Sequence, residues 1–107
     1  MQFLFNSDNQ TQLGSETADT VEAMVGERLG RISDKLTRVE VHLSDVDGPR
    51  SGGADMKCVI EIRPNGMRPI TAVGQASTVE DAVRAAADKV LTAFERQIGK
   101  STTRKGH

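Results

Sequence analysis

The stretch Thr78–Ile98, TVEDAVRAAADKVLTAFERQI, does most to limit what this chain can fold into. Val79, Val83, Ala86, Val90, Phe94 and Gln97 recur at three- and four-residue steps, with Ala82 and Ala93 beside them. That spacing lays an apolar stripe along one side of a helix. Thr78 is placed as its N-cap, Asp81 stands where a capping-box acid would stand, and Gly99 is placed for the left-handed C′ position. The polar side is sorted by sign. At about 100° per residue, Lys89, Arg96 and Lys100 fall within roughly 40° of one another, and Asp81, Asp88 and Glu95 form a separate acidic line further round. A helix this long must bury its stripe on a sheet or a second helix.

The rest of the chain supplies both. Gln2 to Asn6 reads as a short strand with Phe3 and Phe5 on one face and Leu4 on the other. A polar connection, residues 7–15, leads to a first helix expected from Ser15 or Thr17 to Ser33, with Val21, Met24, Val25, Leu29 and Ile32 on its apolar side. Gly26 and Gly30 weaken that helix by about 1 kcal/mol each. Arg38 to Ser44 alternates strictly, with Val39, Val41 and Leu43 inward and Arg38, Glu40 and His42 outward, so it is a half-buried strand. Asp45 to Asp55, DVDGPRSGGAD, breaks regular structure and is expected to be the most mobile internal segment. Met56 to Arg63 alternates again, Pro64-Asn65-Gly66 signals a hairpin turn, and Ile70 to Ala76 is a further strand, started irregularly by Arg68-Pro69. The resulting order is β-α-β-β-β-α. It predicts an α+β fold: a four-stranded mixed sheet whose first two strands pair parallel and whose last three form an antiparallel meander. Both helices cover one face. A single domain over residues 1–100 is expected, followed by a flexible tail at 101–107.

Composition narrows the function. Cys58 is the sole cysteine, which excludes an internal disulfide and a cysteine-cluster zinc site and fits a reducing compartment. No N-terminal secretory signal is expected, and no run approaches the length that spans a bilayer. The net charge of −1 hides an uneven distribution. Residues 1–27 hold five acids and no Lys or Arg, whereas residues 84–107 hold six bases against two acids. Arg28, Arg31, Lys35 and Arg38 form a second basic group directly after the acidic part. Such asymmetry can mark a face for an anionic partner, although charge alone favours a merely solvated surface.

Three segments carry a family resemblance. They are Glu27-Arg28-Leu29-Gly30-Arg31-Ile32, then Arg38-Val39-Glu40-Val41-His42-Leu43, and last Asp81-Ala82-Val83 with Asp88-Lys89-Val90 and Glu95-Arg96-Gln97-Ile98. With these, the chain resembles the ribosome hibernation promoting factor family, or ribosome-associated translation inhibitors, from Gln2 to about Lys100. The resemblance implies a fold similar to double-stranded RNA-binding domains and a cytoplasmic, non-enzymatic stress-response protein. Such a protein binds ribosomal RNA in the small ribosomal subunit where messenger and transfer RNA would sit, and so inhibits translation in stress or stationary phase. By position, it assigns RNA contact to Arg28, Arg31 and Lys35 on the first helix and to Lys89, Arg96 and Lys100 on the last. A short-form member is expected, without the appended domain that dimerises ribosomes.

Other candidates read as structural. Cys58 shares a strand face with Ile60 and Ile62 and is expected to be a buried hydrophobe, not a nucleophile. His42 points outward and His107 lies in the tail, with no third ligand beside either, so no metal site is expected. Phe3 and Phe5 fit core packing better than base stacking. Gly52-Gly53 lacks the Gly-Lys-Ser of a phosphate loop, and nothing fixes Asp45, Asp47 and Asp55 around a cation. No cofactor and no small-molecule substrate are expected, because no nucleophile-base pair appears. The alternative is a protein-interaction or assembly module with the same fold that has lost RNA binding. The near-zero net charge, and an ending GKSTTRKGH less densely basic than the resemblance implies, favour that alternative.

Overall fold

The computed structural model describes residues 1–7, 15–45 and 56–105, with the side chains of Ser15 and of Lys100 onward outside that description. The elements are β1 (Gln2–Ser7), α1 (Ser15–Arg28), a 3-10 segment (Gly30–Lys35), β2 (Leu36–Asp45), β3 (Met56–Pro64), β4 (Ile70–Ala76) and α2 (Val79–Lys105). The sheet order is β1-β2-β3-β4. β1 runs parallel to β2, and the β2–β3 and β3–β4 pairs are antiparallel, as the element order requires. Apart from Asp45, which ends β2, the expected mobile loop lies outside the described residues, as do most of the polar connection after β1 and the end of the tail.

The alternation in the strands decides which face is covered. Val39, Val41 and Leu43 of β2 and Cys58, Ile60 and Ile62 of β3 are fully buried, while their sequence neighbours stay partly or fully exposed. Phe3 and Phe5 pair in register with Val39 and Val41 and pack against the same core. The helices close it from one side with Val21, Val25, Leu29, Val83, Ala86, Val90 and Phe94. α2 comes closest over β4, where Gly74 lies under Ala82 and Ala86.

Helix ends differ from the sequence reading in two places. The first helix is expected to reach Ser33, but α1 stops at Arg28 and the chain tightens into the 3-10 segment. Leu29 leaves helical geometry at φ −99°, ψ 8°, and the Ile32 amide bonds to the Leu29 carbonyl at 3.0 Å, a 3-10 bond. Gly30 holds an α-helix poorly, and the Ser33 hydroxyl donates to the Gly30 carbonyl at 2.9 Å. The tighter turn keeps Leu29, Ile32 and Leu36 all buried while delivering Leu36 in extended conformation to β2. At the other end, Gly99 does not stop α2. The helix continues to Lys105, past the expected tail boundary, and Gly66 is the sole residue with positive φ among those described.

The start of α2 follows the sequence reading in part. The Thr78 hydroxyl accepts from the Asp81 amide at 3.1 Å, an N-cap. The Asp81 carboxylate accepts from Arg84 at 2.8 Å, a pair one turn along the helix. The β3–β4 turn has Gly66 at φ 70° and the Met67 amide on the Pro64 carbonyl at 3.3 Å. With Gly66 alone at positive φ this is the pattern of a type II turn.

Cys58 faces Leu43 on one side and Gly74 on the other, with no solvent exposure. Burial pushes its thiol up from 9.0 to about 12. Native protein should therefore label with a thiol reagent only after opening. Cys58→Ala should cost on the order of 1 kcal/mol. The raised value adds to the pH dependence of folding: stability is intact below pH 9.0 and lost as pH climbs toward about 12, because only the unfolded chain ionises readily there. Cys58→Ala should flatten that loss in urea titrations, and rapid native labelling would contradict the burial.

Candidate nucleic-acid interface

The two helices lie side by side with their N-termini at one end of the molecule. Glu16, Thr20 and Met24 of α1 share a groove with Val79 and Glu80 of α2; further along, Ala23 and Arg28 face Val83 and Ala87. This direction spreads the charges along an axis. Glu16, Glu80 and Asp81 stand in the first turns of the two helices, where acids suit the helix dipoles, and Asp19 and Glu22 follow along α1. Lys35 and Arg96 lie toward the other end. The Lys35 carbonyl accepts from the Asn65 amide at 2.9 Å, which ties the end of the 3-10 segment to the β3–β4 turn. Arg96 lines a shallow surface with Ile70, the first residue of β4 after that turn. The exposed Arg68 belongs to the same connection, so it joins this end; its only sequence signal is its place beside the turn.

The six residues assigned to RNA contact are therefore not equivalent. Arg28 ends α1, whereas Arg31 and Lys35 belong to the 3-10 segment. Arg28 donates to Asp88 at 2.8 Å, and Arg31 pairs with Glu95. Two acids of the α2 line, Asp88 and Glu95, are thus the partners of two cations of the first basic line, while Asp81 pairs within α2 and Lys35 stays unpaired among the described residues. Lys89 and Arg96 do share one side of α2, lining a surface with Thr92 and Ala93. Lys89 donates to the Val73 carbonyl on edge strand β4 at 3.1 Å, so the α2 line flanks the β4 edge while the paired arginines flank α1. Lys35 and Arg96 are exposed and have no ion pair among the described residues. Lys100 lies on α2 by its backbone, but its side chain is outside the described residues.

The open face of the sheet is balanced differently. Arg38 stands opposite Arg63 and Glu40 opposite Glu61 across β2 and β3. These like-charged rows are offset along each strand, where Arg38 reaches Glu40 at 3.4 Å and Arg63 reaches Glu61 at 3.7 Å. Asn6 of β1 adds a bond to Glu40 at 3.3 Å. Lys57 stands on the same face, which therefore carries three bases against two acids, four of these charges paired along their strands. The exposed Lys35 and Arg96, unpaired among the described residues, are what make the helical layer the candidate. Among the described residues, no group of His, Cys, Asp and Glu is arranged to hold a metal ion, and no helix is long and apolar enough to cross a membrane.

Residues 9–105 match the family model described as sigma 54 modulation protein / S30EA ribosomal protein. No curated protein matches the chain. Among solved structures, a ribosomal subunit interface protein from Coxiella burnetii is similar at TM-score 0.70 and 11% identity, covering 92% of this chain and 99% of that one. The N-terminal domain of Thermus thermophilus Protein Y is similar at TM-score 0.62 and 22% identity, covering 90% of this chain and 98% of that one. At these identities the two structures speak for the fold, and the family match carries the relationship.

Proposed function

Because the chain belongs to the sigma 54 modulation protein / S30EA ribosomal protein family, we propose that it is a non-enzymatic, cytoplasmic factor that binds the small ribosomal subunit. It inhibits translation there by occupying the RNA channel during stress or stationary phase. The supporting observation is the basic end of the helical layer, where exposed Lys35 and Arg96 lie beyond the paired arginines and Lys100, Arg104 and Lys105 continue the same helix. A rigid sheet beneath fixes the spacing of these cations, and phosphate contacts set position without reading sequence. Arg28, Arg31, Lys35, Lys89, Arg96 and Lys100 are the proposed contacts with ribosomal RNA.

Co-sedimentation with idle small subunits over a salt series tests this reading. Binding should weaken steeply between about 50 and 200 mM salt, as phosphate contacts require. One observation favours the alternative of an assembly module: through Gly99, the helical elements hold nine acids and six bases. A protein that fails to pellet at any salt, or that pellets with no salt dependence, would support that alternative.

A further inference from the structure

We propose that Asp88 and Glu95 attenuate RNA binding, by holding Arg28 and Arg31 in intramolecular pairs that phosphate must displace. This rests on the ribosome-binding reading above. Each pair bridges from α1 or the 3-10 segment to α2, and each is open to solvent. Side-chain exposure is 42% for Arg28 and 50% for Asp88, and 67% for Arg31 and 46% for Glu95. Pairs this exposed are weak, so a phosphate can exchange for the carboxylate without opening the core. A guanidinium also has five N–H donors, so neither arginine is saturated by one carboxylate. The carboxylates thus leave binding possible but weaker. A phosphate arriving at either arginine meets a nearby negative charge and must displace the carboxylate against that repulsion. Asp88 and Glu95 are two turns apart on α2, so they act as one line against one side of the incoming strand.

The test uses the full chain with purified small subunits over the same salt series. Asp88→Asn with Glu95→Gln keeps side-chain shape and a hydrogen-bonding oxygen at each position but removes both charges. This variant should bind about three- to ten-fold tighter at low salt. Its advantage over wild type should shrink as salt rises, which steepens its salt dependence, because the repulsion it removes is screened by salt. Glu95→Asp, which retains the charge, should bind nearly as wild type does. A merely structural role for the pairs would shift the thermal midpoint and leave the salt slope where it was. Unchanged or weaker binding, or tighter binding at an unchanged slope, would overturn the proposal. Lys89→Glu with Arg96→Glu and Lys100→Glu separates the two readings in the same assay. If that variant loses binding while the amide variant matches wild type, attenuation fails and ribosome binding stands. If neither variant changes binding, attenuation and the α2 contact both fail, and the ribosome-binding reading itself fails only if the wild-type protein does not bind.

Discussion

Gly74→Ala should destabilise this protein more than any other single-methyl change in the sheet. A Cβ at Gly74 would lie 2.4 Å from the Ala82 carbonyl oxygen and 2.4 Å from the Ala86 amide nitrogen. Both are helix backbone, so no flexible side chain can swing aside. The strand would have to sink or α2 would have to lift, and lifting α2 opens the packing of Val83, Ala86 and Val90 over Ile60 and Ile62. Overpacking typically costs about 1–3 kcal/mol, and a rigid backbone on the far side puts this site at the upper end, about 3 kcal/mol. Against a total stability of about 5–15 kcal/mol, that is a large loss. Gly74→Val should leave little folded protein. Gly99→Ala is the control: nothing lies within 4 Å of its Cβ position and the residue is helical, so it should gain up to about 1 kcal/mol. Urea unfolding midpoints measure all three. A Gly74→Ala midpoint equal to wild type would mean that α2 stands further from β4.

The sheet is legible in the sequence because period-two patterning is local. Val39-Val41-Leu43 and Cys58-Ile60-Ile62 declare their inward face within a few residues, and Gly66 declares its turn. The close approach at Gly74 is not legible, since its cause is a helix reached only later in the chain. A glycine inside a strand hints at such an approach but does not say to what. The end of α1 is half legible: Gly30 marks a weak point in the helix, but the demand that Leu36 enter β2 extended is tertiary. The charge lines are also readable on each helix alone. Their pairing is not, because helical periodicity does not fix how one helix is rotated against another. Arg28 and Asp88 are 60 positions apart, and Arg31 and Glu95 are 64. What reads in sequence as one set of cations is in the structure two paired arginines, a lysine tied to a strand edge and two exposed bases, with Lys100 outside the described side chains.

That sorting directs the second large effect to α2. Reversing Lys89, Arg96 and Lys100 to Glu should abolish association with the small subunit. The three share one flank of α2 by helical spacing, away from the stripe that Val83, Val90 and Phe94 bury. Changing them leaves the core filled, so the thermal midpoint should move by only a few degrees, about what a loss near 1 kcal/mol produces in a domain of this size. Much of that shift belongs to Lys89, whose bond to the Val73 carbonyl disappears. Each phosphate left without its cation should lower the salt slope of any residual binding by about 0.7–0.9 of a unit, and each new carboxylate adds repulsion besides. Reversing Glu16, Asp19 and Glu22 to Lys provides the opposite arm. These acids lie on α1 ahead of Arg28 and in no ion pair among the described residues, so their removal should leave association intact or strengthen it through the longer-range field. Arg28 and Arg31 are left untouched in both variants, which keeps the α1–α2 pairs in place. The assay is pelleting with small subunits at low and high salt, with circular dichroism melts on the same samples. If both triple variants pellet like a wild type that itself binds, α2 is not the RNA face and another surface meets the ribosome; the assembly-module reading replaces ribosome binding if the wild type itself fails to pellet. If only the lysine and arginine reversal fails to pellet, the basic end of the helical layer is what meets the ribosome.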